Sequence, residues 1–559
     1  MRKAGLLARG FILSLVYGTG LGLAAQAPPA PGPTPASAND TTVRILTTTD
    51  VHGHVMPQDT FTLRPENQGW AKLATLIRQA REGRANTVLV DCGDELQGEP
   101  LDYVRTVLHP DQPEPAIAIM NTLGYAAMAV GNHEYNFGLP NLRAAEKQAA
   151  FPFLSANTLD TRTGRPALKP YVIYKAGPLT IAIVGFTTPG IPNWEEPANY
   201  AGLRFEDIVA TAKTVIPKLR AKEKADLVIV AMHSGLGKVD GRVGDENAAL
   251  RLAEQVPGID AILTGHTHQP ISIEHKGVPI LQASCWGKAL GVLDLTLHKD
   301  AKGHWAVTAQ QAQLQKPDDA TAPDAEVLSL TAGIRGLTDR YLDTLATNLG
   351  TDLDGRWGRI EDSPLVQLVQ TVMRQATGAQ LASAACNSTR IFIPKGPTSV
   401  RQFYALEPYE DHVAVIRVTG AQLKAYLEHA ARYFTYSWRP ELFSPDIPGY
   451  DFDMVEGASY ALDLGKPVGE RVEGLSVGGQ PVKPDQTFTL ALTTYRLRGG
   501  GGYMDAMGFS GGPLSITDRS LRNLLLSYVL THPYLAITPD NNWRTIPYLD
   551  RERVMNLEK

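Results

Sequence analysis

Apolar residues recur along this chain in two rhythms. Runs at 43–47, 88–90, 126–130, 181–186, 226–232 and 261–263 are nearly continuous, as strands buried on both faces are. Between them stand segments with helical spacing. Leu73, Leu76, Ile77 and Ala80 share a face within 70–81, and a short helix is expected at 116–123. Ile208, Ala212, Val215, Ile216 and Leu219 do the same within 205–221, and 246–255 predicts another helix. Strand and helix in alternation predict an α/β sheet, whose functional groups collect at the carboxyl ends of its strands.

The residues that close the apolar runs carry chemistry. They read Asp50-Val51-His52, Asp91-Cys92-Gly93-Asp94, Gly131-Asn132-His133-Glu134, His233-Ser234-Gly235 and Gly265-His266-Thr267-His268. Asp50 and His52, two apart on extended backbone, face the same side, and so do His266 and His268. Any one of these segments is explained as a polar turn. Five at one edge of a sheet are not. Carboxylate, amide and imidazole donors together suit two divalent cations (zinc, manganese, iron or cobalt), with Asp94 able to bridge them.

The pattern changes near 310–322, where Gln and Pro accumulate as in a domain linker. Helical spacing resumes at 325–347, and a second domain is expected from about residue 351. Within it Leu365, Leu368, Val369 and Val372 mark a buried helix face that ends at Thr377-Gly378-Ala379. Phe452, and Tyr495 ahead of Gly499-Gly500-Gly501-Gly502, could sandwich a base, although spacing alone reads both rings as core.

Length and composition add bounds. A chain of 559 residues implies two domains plus a leader, and 43% hydrophobic with 20% charged residues is ordinary for a globular protein. A net charge of −5 with no long basic run gives no surface for polymeric nucleic acid. Cys92, Cys285 and Cys386 are too few for a disulfide framework, although one bridge is possible. Arg2, Lys3 and Arg9 precede an apolar stretch at 11–25 that ends in small residues, the pattern of a secretory signal through residue 27 rather than of a retained anchor. A Pro/Ala linker at 28–40 follows. No other apolar run approaches a membrane span, so the mature protein is expected to be periplasmic or secreted.

In this order the five motifs resemble those of the calcineurin-like metallophosphoesterases, and the second half of the chain resembles the C-terminal domain of the bacterial 5′-nucleotidase family. The resemblance implies an α/β fold: a four-layer metallophosphoesterase β-sandwich flanked by helices at 41–310, a linker and connecting helix at 311–350, and an α+β 5′-nucleotidase-type substrate domain at 351–559. Asn136-Phe137-Gly138-Leu139, the stretch from Pro189 through Ile191 to Trp194, and Phe443-Ser444-Pro445-Asp446 look like the 2′,3′-cyclic-nucleotide 2′-phosphodiesterase/3′-nucleotidase branch. The family's 5′-nucleotidases usually have an aspartate where Asn136 stands and an acidic residue where Gly501 stands.

The resemblance further implies one cation on Asp50, His52, Asp94 and His268, and a second on Asp94, Asn132, His233 and His266. It makes His133 the acid beside them, held by the residue at Asn136. It assigns Phe452 and Tyr495 to the nucleobase, with Gly499 and Gly500 in the adjoining loop, and Asn387 and Arg390 to phosphate or ribose. The expected substrate is a small nucleotide. The expected activity opens 2′,3′-cyclic nucleotides and then dephosphorylates the 3′-nucleotide. A 5′-nucleotidase or nucleotide-sugar hydrolase on the same scaffold is the alternative, and a non-catalytic nucleotide-binding surface protein a remote one.

Overall fold

The computed structural model describes residues 39–439 and 441–557, so the expected signal and most of the Pro/Ala linker lie outside the described residues. The first domain is built on two six-stranded sheets. Its strands are β1 (Asp40–Thr48), β2 (Thr87–Asp91), β3 (Ala127–Ala129), β4 (Phe153–Leu154), β5 (Tyr171–Ala176) and β6 (Leu179–Thr187). They continue with β7 (Leu227–His233), β8 (Ala261–Thr264), β9 (Pro270–His275), β10 (Val278–Ala283), β11 (Leu290–Lys299) and β12 (Trp305–Gln315). One sheet runs β12-β11-β1-β2-β3-β4 and the other β9-β10-β8-β7-β6-β5. Strands β1, β2, β3 and the edge strand β4 are parallel, as are β6, β7, β8 and β10, while β11 and β12 in the first sheet and β9 and β5 in the second pair antiparallel with their neighbours.

Parallel neighbours need crossover connections. Here helices α1 (Trp70–Arg81) and α2 (Pro115–Leu123) serve the first sheet, and α3 (Ile208–Ala221) and α4 (Ala249–Gln255) the second. Val43, Ile45, Val88 and Val90 interdigitate with Ile181, Ile183, Leu227 and Ile229 between the sheets. Leu46 and Leu89 on the outer face of the first sheet meet Leu73, Ile77, Ile117 and Met120. Val184, Val228 and Val230 on the second meet Ile208, Ala212, Ile216 and Leu252. Burial on both faces is why the strands read as continuous apolar runs, and the result is the expected four-layer sandwich.

Two expectations change. Residues 310–315, expected in a linker, form the end of β12, paired in register with β11 from Leu290↔Gln315 onward. An edge strand half open to water tolerates glutamines and loses its apolar signature. The helix expected at 325–347 is α5 (Ala325–Leu342), and Leu345–Leu349 is a strand. Leu345 is exposed while Ala346 and Leu349 are buried, so the apolar residues past 342 serve a sheet and not the helix face. All three cysteines are buried and free.

α5 joins the domains. The N–H of its cap residue Asp324 donates to Ala71 O at 2.7 Å, and near its far end Asp343 pairs at 2.8 Å with Arg401, whose other Nη donates to Thr60 O. The second domain holds α6 (Pro364–Thr377), capped by the Ser363 side chain, against a mixed five-stranded sheet. That sheet contains Leu381–Ala385, His412–Thr419, Asp453–Glu456, Thr487–Thr493 and Ser515–Ser520. No helix among the described residues is long and apolar enough to cross a membrane.

Candidate metal centre

The loops that leave β1, β2 and β8 are bent back by unusual backbone. Asp50, His52, Asp94, His266 and His268 all have positive φ, between 51° and 76°. For residues with a side chain this conformation is unfavourable by roughly 1 kcal/mol each and persists only where the surroundings over-determine it. Here the loops hold one another. Asp50 N donates to Gly93 O (2.8 Å), His52 N to Asp94 O (3.0 Å) and Trp286 N to Asp50 O (2.7 Å). His266 N donates to both Asp50 carboxylate oxygens at 3.1 Å. Gly131 is needed for closeness, since a Cβ there would stand 2.2 Å from Asp94 Oδ1.

The side chains converge as a result. His233 Nε2 lies 3.0 Å from Asp94 Oδ2 and 3.1 Å from Asn132 Oδ1. His268 Nε2 lies 3.3 Å from Asp50 Oδ1 and 3.1 Å from His52 Nε2. The His266 ring centre is 5.2 Å from that of His233 and 5.3 Å from that of Trp194. Three overlapping sets (Asp50, His52, His268; His52, Asp94, His133; Asp50, Asp94, His233) each bring one donor atom per residue within 4.8 Å of the others. Backbone carbonyls fix two of the rings. His52 Nδ1–H donates to Gln97 O (2.6 Å) and His233 Nδ1–H to Cys92 O (2.7 Å), which turns both Nε2 atoms into the cluster.

The electrostatics fit divalent cations. Burial pushes His52 and His266 down to about 3, so both are neutral donors. Against burial, His233 and His133 hold Asp94 well below the usual carboxylate range, and His268 and His233 lower Asp50. Burial also opposes charge on His233 and His268, yet Asp94 raises the first to about 9 and Asp50 the second to about 10. The carboxylates therefore demand positive charge, which protons on two imidazoles supply and which a cation replaces.

Glu134, which in sequence is indistinguishable from a turn residue, braces the centre. Its buried carboxylate accepts from the N–H groups of Asp94 (2.9 Å), Glu95 (2.6 Å), Leu96 (3.3 Å) and Gly131 (2.6 Å). Glu134→Ala leaves several of these N–H groups buried and unpaired and should destabilise the protein by about 3 kcal/mol or more in denaturant unfolding, with Glu134→Gln less affected. Equal stability of wild type and the alanine variant would deny the carboxylate this role.

His133 faces the cluster from one side, its Nε2 3.9 Å from Asp94 Oδ2. Its Nδ1–H donates to Asn136 Oδ1 (2.6 Å), and Asn136 Nδ2 donates to Glu195 Oε2 (2.6 Å). Nothing local in the sequence marks Glu195, which lies 59 residues on from Asn136.

The centre opens on a cleft of roughly 1800 Å³ between the domains. His133, Trp194 and His268 line one wall, and Asn387, Arg390, Tyr409, Tyr450 and Tyr495 the other. Asn387 donates to Glu407 (3.2 Å) and to Leu406 O (3.3 Å), and Arg390 is exposed. Gly499 is exposed, while Gly500 packs so tightly on Tyr495 that a Cβ would stand 2.5 Å from its ring. Phe452 is corrected. It is 1% exposed, stacked 5.2 Å from Tyr433 and set edge-on to Trp543, and it does not line the cleft. A helical turn at Gly449–Asp451 instead presents Tyr450, which is 48% exposed.

A family model described as calcineurin-like phosphoesterase matches residues 43–270, and one described as 5′-nucleotidase, C-terminal domain, matches residues 342–508. The chain is 32% identical to the 2′,3′-cyclic-nucleotide 2′-phosphodiesterase/3′-nucleotidase of Yersinia enterocolitica, over 90% of this chain and 88% of that one. It is 28% identical to the trifunctional nucleotide phosphoesterase protein YfkN of Bacillus subtilis, over 90% of its own length but 39% of that protein's. The crystal structure of a 5′-nucleotidase precursor from Thermus thermophilus shares the fold, with a TM-score of 0.66 and 24% identity over 90% of this chain and 99% of that one.

Proposed function

The chain belongs to the bacterial 5′-nucleotidase family of metal-dependent phosphoric ester hydrolases, and on that premise we propose that it acts on 2′,3′-cyclic nucleotides and 3′-nucleotides. It opens the cyclic ester to a 3′-nucleotide and then removes the 3′-phosphate. Asp50, His52, Asp94 and His268 would hold one divalent cation, and Asp94, Asn132, His233 and His266 a second. The amino-terminal apolar segment supports export to the periplasm or beyond.

Bound there, the cations supply Lewis acidity: a nucleophile from water near neutral pH, and neutralisation of phosphoryl charge. The chain does the rest. Tyr450 and Tyr495 grip the base from the second domain while the phosphate reaches the donors of the first, so the substrate spans the cleft. His133 stands beside the cluster as proton donor to the departing ribose oxygen. Both steps are displacements at phosphorus by water, and one centre serves both once the nucleotide re-seats.

The observation that carries this reading is the common cleft: a cluster of metal-type donors at one wall and two tyrosines beside a glycine loop on the other. Phosphate release from 2′,3′-cyclic AMP, 3′-AMP and 5′-AMP tests it. The first two should turn over at least about tenfold faster than 5′-AMP, a difference of about 1.4 kcal/mol in the barrier. A chelator should abolish turnover, and added zinc, manganese or cobalt should restore it. Dominant hydrolysis of 5′-AMP would transfer the assignment to the 5′-nucleotidase reading, and absence of metal-dependent turnover would leave only a binding protein.

A further inference from the structure

We infer that Glu195 is the carboxylate that orients His133, acting through Asn136 as the outer member of a His133–Asn136–Glu195 chain. The inference rests on the reading of His133 as the acid of the proposed reaction. Asn136 contributes no charge, and its amide alone would leave the imidazole without an anionic partner on the Nδ1 side. The hydrogen bonds supply that partner one residue further out.

The direction of each bond is fixed by what its neighbours can do. Glu195 is 6% exposed, and both of its oxygens are used as acceptors. Oε2 takes Asn136 Nδ2–H at 2.6 Å, and Oε1 takes Asn199 Nδ2–H at 2.9 Å and the Glu196 N–H at 2.6 Å. Burial raises the Glu195 pKa, and the three N–H donors converging on its oxygens oppose that shift and favour the carboxylate. Asn136 must then turn its amino group to Glu195 and its oxygen to His133, and Asn199 Nδ2 holds the Asn136 carbonyl at 3.0 Å as well. The oxygen of Asn136 therefore receives Nδ1–H, and Nε2 is left on the side of Asp94, 3.9 Å from its Oδ2.

In the reaction, the Nε2 proton of the imidazolium passes to the ribose oxygen as the P–O bond breaks. The ring is left neutral, with Nδ1–H still on Asn136. Glu195 touches no reacting atom and is a positioning residue. It sits on a strap that is itself anchored on both sides. Trp194 packs against the ring of His266, and Glu196 pairs at 2.5 Å with Arg498 of the second domain's glycine loop.

The test compares a leaving group that needs a proton with one that does not. Ribose oxygen leaves poorly without protonation, whereas p-nitrophenolate leaves unaided. Glu195→Gln keeps the shape and an acceptor oxygen for Asn136 but removes the charge. In the metal-loaded enzyme it should lower kcat on 3′-AMP by about 10- to 100-fold with KM changed less than about threefold, a fraction of what a general acid contributes. The fall on p-nitrophenyl phosphate should be smaller by at least about tenfold. The double variant Asn136→Asp/Glu195→Gln moves the charge inward rather than deleting it, and should recover most of the loss on 3′-AMP.

Equal losses on both substrates, a double variant worse than Glu195→Gln alone, or undiminished kcat on 3′-AMP in Glu195→Gln would each overturn the inference. If the wild type instead prefers 5′-AMP, the substrate reading fails by itself. The same comparison then runs with 5′-AMP, which also leaves a ribose oxygen.

Discussion

Asp94→Asn is expected to lower phosphate release on the order of 10³-fold or more and to strip bound metal, because one carboxylate carries several bonds at once. Asp94 Oδ1 accepts the His133 N–H at 2.8 Å, and Oδ2 lies 3.0 Å from His233 Nε2 and 3.9 Å from the Nε2 atoms of His52 and His133. Asparagine keeps the volume and one oxygen, and it tolerates the positive φ of 65° better than most residues. The fold should therefore survive while the charge facing three imidazoles is lost. Metal content by elemental analysis and kcat on the preferred nucleotide read the two effects separately. A variant that keeps both its metal and a tenth of wild-type activity would show that Asp94 does not bridge cations.

The first domain is legible in sequence where the signal is local. A strand buried on both faces is a continuous apolar run, and the polar residue that ends it marks the sheet edge without reference to anything distant. That is why Asp50, Asp94, Asn132, His233 and His266 stand out in the chain itself. What cannot be read is what depends on the other side of a contact. Glu134 is conspicuous only once the N–H groups of Asp94, Glu95 and Leu96 are folded over it, and Glu195 only once a strap returns to Asn136. The left-handed backbone of five donors is equally silent, since nothing in Asp-x-His demands it. Residues 310–315 fail for the opposite reason. Glutamines on an exposed edge strand satisfy water and neighbour alike, so composition says linker where hydrogen bonding says strand.

The second domain yields less, and the rings at 450–452 show why. Tyr450 and Phe452 lie two positions apart, and a helical turn between them removes the alternation that would decide which ring faces inward. Burial decides it, and predicts a crossed outcome. Phe452→Ala removes a ring stacked on Tyr433 and in contact with Phe434 and Trp543, so the folded state should lose about 3–5 kcal/mol. Tyr450→Ala should change stability little but lower kcat/KM on nucleotides by about 5- to 150-fold, the value of one base–ring contact at about 1–3 kcal/mol. Tyr495→Ala should match it. Arg496 ties the two tyrosines, donating to Tyr450 O at 2.5 Å, lying 5.1 Å from the Tyr495 ring centre and anchored on Asp453 at 2.8 Å. Denaturant unfolding and nucleotide kinetics on all three variants separate the roles. If Phe452→Ala keeps its stability and loses nucleotide affinity while Tyr450→Ala does neither, the base is gripped from the other side of this turn.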